Sequence, residues 1–151
     1  MKKQLLFIAL FVTMFLNAQS IEITSAELTA AEVGSTITVN FKYSSTETDS
    51  YIYVGLNLYT DTTWKSSVIG ADTGVVNGPG TNIAGSISLE IPAGTVLTAD
   101  LTSPDNYKLS VEMKEKVGWT IIAYDYPSTE FEIVAAGTLS TDSFTEELNK
   151  I

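Results

Sequence analysis

The stretch from Ser50 to Thr60, SYIYVGLNLYT, constrains the fold of this chain more than any other. Read with a period of two, it puts Ile52, Val54, Leu56 and Leu58 on one face and Tyr51, Tyr53, Gly55, Asn57 and Tyr59 on the other. Side chains alternate across a pleated strand, and β-branched and aromatic residues favour a strand over a helix. The aliphatic face must be covered by a core. The opposite face is too aromatic for idle surface and too polar for ordinary interior, so it is the first place to look for function.

The same period recurs along the chain. Residues 21–26 alternate, and in residues 36–43 Ile37, Val39, Phe41 and Tyr43 oppose Thr38, Asn40 and Lys42. Residues 64–69, 83–91, 107–113, 119–126 and 130–134 read as further strands. Asp61-Thr62-Thr63 reads as a hairpin turn, and the glycine-rich residues 70–80 read as a long mobile connection. Seven or eight short strands at regular spacing, with no long helical period, predict an all-β fold. An antiparallel β-sandwich is the expected architecture, with a barrel as the alternative.

The ends have a different character. Lys2 and Lys3 precede an apolar run over residues 5–16 and then Asn17-Ala18-Gln19-Ser20, the order of a secretory signal peptide. The run is short for a membrane span, although a retained anchor is the alternative. The Asn-Ala-Gln ending resembles the leaders of secreted Bacteroidetes proteins, which places cleavage after Ala18. The expected organisation is a signal peptide over 1–18, a sandwich over 19–135 and a tail or linker over 136–151. Export across the inner membrane of a Gram-negative bacterium, to the medium or the cell surface, follows from that reading. No other stretch is apolar enough to span a bilayer once the leader is removed.

The chain carries a formal charge of −10, and loss of Lys2 and Lys3 with the leader makes the mature protein more acidic still. Such a surface repels phosphate backbones, so no nucleic-acid partner is expected. There is no cysteine and no histidine, and all eight basic residues are lysine. Disulfides, thiolate nucleophiles, the commonest general base and bidentate guanidinium clamps are therefore missing. No Gly-x-Ser-x-Gly elbow occurs, and residues 74–80 lack the Gly-Lys-Ser/Thr ending of a phosphate loop. Asp61, Asp72, Asp100, Asp105 and Asp125 fall in or near turns, where aspartate bonds its own backbone. A weak calcium site is the alternative use for them. The expectation is a protein without cofactor and without catalysis.

Residues 101–111, LTSPDNYKLSV, place a leucine six positions before a tyrosine that opens an alternating strand. This resembles the tyrosine corner of fibronectin type III and related immunoglobulin-like modules. The resemblance implies that the Tyr107 hydroxyl bonds back to upstream backbone and that its role is structural. The closing AAGTLSTDSFTEELNKI resembles the linker preceding C-terminal sorting domains of type IX secretion.

The aromatic residues are left to account for. Tyr51 and Tyr53 lie about 7 Å apart by strand rise. Tyr59 shares their face, Trp64 follows across a turn, and Trp119, Tyr124 and Tyr126 lie on the last strands. Flat rings stack on the C–H faces of sugars, while amides and carboxylates bond sugar hydroxyls. The candidate site is therefore Tyr51, Tyr53, Tyr59 and Trp64 for stacking, with Asn57 and Asp61 for hydroxyls and Asp125 at the edge. A glycan is the expected ligand. The alternative is a structural or adhesive immunoglobulin-like spacer that contacts an extracellular protein. Exposed, coplanar rings favour the first and buried rings the second.

Overall fold

The alternating runs pair into two antiparallel sheets. The computed structural model describes residues 19–25, 28–47, 49–126 and 130–139, with the side chains of 75–77 left aside. The expected leader and residues 140–151 of the expected tail lie outside the described residues. In chain order the strands are β1 (Ser20–Ile23), β2 (Ala30–Glu32), β3 (Thr36–Ser45), β4 (Asp49–Thr60) and β5 (Thr63–Asn77). They continue with β6 (Gly80–Glu90), β7 (Asp105–Glu115), β8 (Ile121–Asp125) and β9 (Glu132–Val134). One sheet has the order β1-β3-β6 and the other β5-β4-β7-β8, while β2 and β9 form a parallel ribbon. The only helical element among the described residues is a single 3-10 turn, Thr98–Asp100. No helix there is long and apolar enough to cross a membrane. The fold is an all-β sandwich.

The core lies between the sheets, filled by the faces that the alternation marks as apolar. Ile52, Val54 and Leu56 of β4 are buried against Leu109, Val111 and Met113 of β7, with Val39 and Phe41 of β3 and Leu89 of β6 in the same cluster. Leu58 is half-buried at its margin. Each fully buried side chain of this size stabilises the fold by about 1.5–3 kcal/mol relative to exposure. Pairing of β4 with β7 runs without a register shift from Ser50↔Glu115 to Thr60↔Asp105. An unbroken register keeps all inward residues inward, because a slip of one would exchange the faces.

Tyr107 opens β7 with its ring buried, and its hydroxyl donates to the Val96 carbonyl at 2.8 Å. Leu101 packs against the core nearby, and burial pushes the Tyr107 phenol pKa up. This is the upstream backbone bond that the tyrosine-corner resemblance implies.

Two expectations are corrected. The glycine-rich residues 70–80 are not a loop: β5 runs on to Asn77, and residues 70–77 pair with the first half of β4. Gly70 belongs to the ladder because the Tyr53 ring occupies the space a side chain would take. Gly74 belongs to it because Thr73 and Gly74 together oppose Ile52 in a bulge, and its φ of +67° suits glycine. Asp72 Oδ1 accepts the Gly74 N–H at 2.7 Å, and Thr73 Oγ1 accepts from Ile52 N–H at 3.4 Å. The expected strand from 119 also starts later, since Trp119 sits in the turn between β7 and β8 at a φ of +57°.

Ala30–Glu32 is a strand that the sequence reading passes over. It pairs with β9, and the Glu32 carboxylate accepts the N–H groups of Gly137 and Leu139, fastening residues just past 135 to β2. Those bonds hold the Glu32 carboxyl below the usual carboxylate pKa.

Candidate functional site

The outward face of the four-stranded sheet follows from register alone, since directly paired residues in an antiparallel ladder share a side. Across β5, β4 and β7 the rows are Trp64–Tyr59–Asn106, Ser67–Asn57–Lys108, Gly70–Gly55–Ser110 and Asp72–Tyr53–Glu112. The last row continues onto β8 at Tyr124. Tyr51 lies opposite Lys114 at the end of the face.

The centre of this face is a floor of small residues covered by one ring. A Cβ at Gly55 would come within 2.7 Å of Tyr53 Cε1, and one at Gly70 would overlap the phenol end of the same ring. Tyr53 thus lies across two strands, occupying space that the glycines leave open. Lys114 Nζ stands 4.4 Å from its centroid and also pairs with Glu112 at 2.9 Å. The ring therefore sits beside a locally neutralised ion pair, and the cation–π contact adds roughly 0.5–1 kcal/mol at a site of this exposure.

The two ends are built differently. At one, Trp64 is 57% exposed, and its Nε1–H donates to Asn57 Oδ1 at 3.5 Å. Asn57 is only 6% exposed, and its amide donates onward to Ser110 Oγ at 3.5 Å. Asn57 thereby tethers Trp64 to the middle strands. Beside it, Lys108 Nζ stands 4.9 Å from the Tyr59 centroid. Tyr126, whose ring packs tilted against Tyr124 at 5.2 Å, lies near enough to Tyr59 for the two phenols to interact electrostatically. Burial, with Tyr59 and Glu112 adding to it, pushes the Tyr126 phenol up to about 12. Asp61 is exposed in the β4–β5 turn at a φ of +53°, where its N–H donates to the Pro104 carbonyl.

At the other end, Trp119 stacks on Tyr51 with centroids 4.9 Å apart and planes 13° apart, while staying 53% exposed. Trp119 is held there by a tight turn in which Gly118 also has positive φ and Glu115 N–H donates to the Thr120 carbonyl at 2.9 Å. Tyr124, 63% exposed, completes the surface.

All six sequence-predicted residues thus lie on this face or at its rim. Tyr51, Tyr53, Asn57 and Tyr59 share β4, Trp64 is directly across from Tyr59, and Asp61 is in the turn that joins their strands. Asp125 is placed elsewhere: it accepts the Ile23 N–H at 2.7 Å and ties β1 to β8. Sequence reasoning missed the two lysines over the tyrosines and the flanking carboxylates Asp72 and Glu112. The alternation of Lys108, Ser110, Glu112 and Lys114 in β7 was a usable signal, but only once β7 was known to adjoin β4. Among the described residues, no group of three or more carboxylates gathers to hold a metal.

The molecule is thus an all-β sandwich with one outward sheet face devoted to rings. No protein-family model matches the chain, and no curated protein matches it significantly.

Proposed function

We propose that this protein is a non-catalytic binding module of an exported protein that holds carbohydrate on the outer face of its four-stranded sheet. One observation carries the reading. Both tryptophans of the chain and five of its seven tyrosines gather on that face, and Trp64, Trp119 and Tyr124 are each more than half exposed. Large rings left in water and gathered on one face mark a place where something binds. Asp72 and Glu112 flank Tyr53 and supply hydroxyl partners, with Asp61 at the rim, while Asn57 acts by holding Trp64 in place.

A second reading is an immunoglobulin-like or fibronectin type III-like spacer that contacts another extracellular protein. The Tyr107–Val96 bond supports that family, and the apolar tip of Val117 and Trp119 offers a protein contact. The likeness of the leader and tail to exported Bacteroidetes proteins suits both readings.

Affinity electrophoresis through gels containing soluble polysaccharides, together with a glycan array, separates them. The expected result is retardation of the wild type by at least one polysaccharide and weakened retardation in Trp64→Ala, with unchanged circular dichroism. A wild type that binds no glycan removes the first reading and leaves the spacer.

A further inference from the structure

The exposed rings lie at separated places along one ruler. Trp119 is stacked on Tyr51, Trp64 lies directly opposite Tyr59, and Tyr51 and Tyr59 are on the same strand. Eight residues of β4 separate them, about 26 Å at the rise of an antiparallel strand. Between them the Tyr53 ring fills the space that Gly55 and Gly70 leave above the strands, beside Ser110 of the same row. Nothing in the rows described above walls off either end.

The charges of the face are balanced among themselves. Lys114 is paired with Glu112, Lys108 stands over the Tyr59 ring, and Asp72 accepts the Gly74 N–H. On the described face two lysines therefore stand against two carboxylates, on a chain whose total charge is −10. A polyanion approaching this face would first meet an acidic surround, whereas an uncharged chain meets rings and locally cancelled charge.

We propose that the ring face is one extended site for an uncharged polysaccharide, laid along β4 with Trp119 and Trp64 as its two end subsites. This rests on the carbohydrate reading above. Because no residue of the described rows closes either end, it takes internal stretches of a chain in preference to chain ends. Stacking at one tryptophan brings the rest of the same chain to the other. The second contact is then intramolecular, and affinity rises with chain length until the span is covered.

The test is calorimetry with length ladders of neutral oligosaccharides cut from whichever polysaccharide retards the protein, alongside a polyuronate. For the wild type, affinity should climb from the disaccharide upward and level once the chain reaches both tryptophans. Trp64→Ala and Trp119→Ala should each lower affinity for the longest oligosaccharide by about tenfold and level the ladder at a shorter length, consistent with one lost stacking contact. Both variants should leave the disaccharide nearly as well bound as before, through the end that remains. Affinity that is already maximal at the disaccharide overturns the extended site. So does tighter binding of the polyuronate than of any neutral chain, or complete loss in one variant with no change in the other. Each of those results leaves glycan binding itself intact. Absence of any glycan binding by the wild type overturns both proposals together. The wild-type ladder needs no variant to fold, and urea midpoints confirm that the two variants do.

Discussion

The sandwich has two outward sheet faces, and they are furnished very differently. On the three-stranded sheet, β3 presents Thr36, Thr38, Asn40 and Lys42 against Glu90, Ser88, Ser86 and Ala84 of β6. Thr38 and Ser88 share a hydroxyl contact at 3.1 Å, and no ring stands among them. On the four-stranded sheet the equivalent positions hold Tyr51, Tyr53, Tyr59, Trp64 and Tyr124 over a glycine floor. Both faces back onto the same core and both sheets are ordered ladders. Short polar side chains are thus sufficient to cover a sheet of this protein. The rings on the other face exceed what folding asks for, which is the physical ground for the proposal that function lies there.

Four measurements put that contrast to the test. The largest expected effect lies beneath both faces: Leu56→Ala opens a cavity in the core and should cost about 2–5 kcal/mol in urea unfolding. Next is the floor. Gly70→Val drives a branched side chain into the Tyr53 ring and should cost about 1–3 kcal/mol, while Ala84→Val on the opposite outer face should be close to neutral. Equal costs at the two sites would show that the ring-covered floor is not special.

Smaller again is the stability effect of removing a ring. Trp64→Ala should change unfolding free energy by no more than about 1 kcal/mol, because more than half of the side chain is already in water and its indole bond is long. A loss as large as that of Leu56→Ala would mean that the ring is structural, and the comparison would fail. The smallest effect is a titration. Tyr126 has its phenol raised from an ordinary value near 10 to about 12, with burial as the chief cause. A raised pKa favours the neutral form in the folded state, so its contribution is complete below pH 10 and is lost as pH climbs through about 12. Beside the raised Tyr107, tyrosinate absorbance should show a group titrating near 12 in the wild type that Tyr126→Phe removes, and Tyr59→Phe should bring it earlier.

Much of the fold was legible because its core strands obey a strict period. Ile37, Val39, Phe41 and Tyr43, and likewise Leu109, Val111 and Met113, turn inward as their alternation requires. Residues 70–77 were not legible, because glycine and asparagine are turn residues until a partner ring or a bulge uses them. Whether a glycine ends a strand or makes room for Tyr53 depends on β4, some fifteen positions earlier. The β2 strand was too short, at three residues, to show any period. Of the site, the β4 tyrosines could be read from one strand. Bringing Trp119, Tyr124, Lys108 and Lys114 beside them required the β5-β4-β7-β8 order, which is a long-range fact of pairing.

The left-handed backbone at Trp119 has a practical corollary. Bulky residues are poorly suited to that region, and glycine or asparagine would occupy it with less strain. A laboratory breeding this protein for heat resistance would therefore be drawn to replace position 119 early. The hardier clones would shed the indole that caps Tyr51, exchanging part of the proposed ring surface for an easier turn.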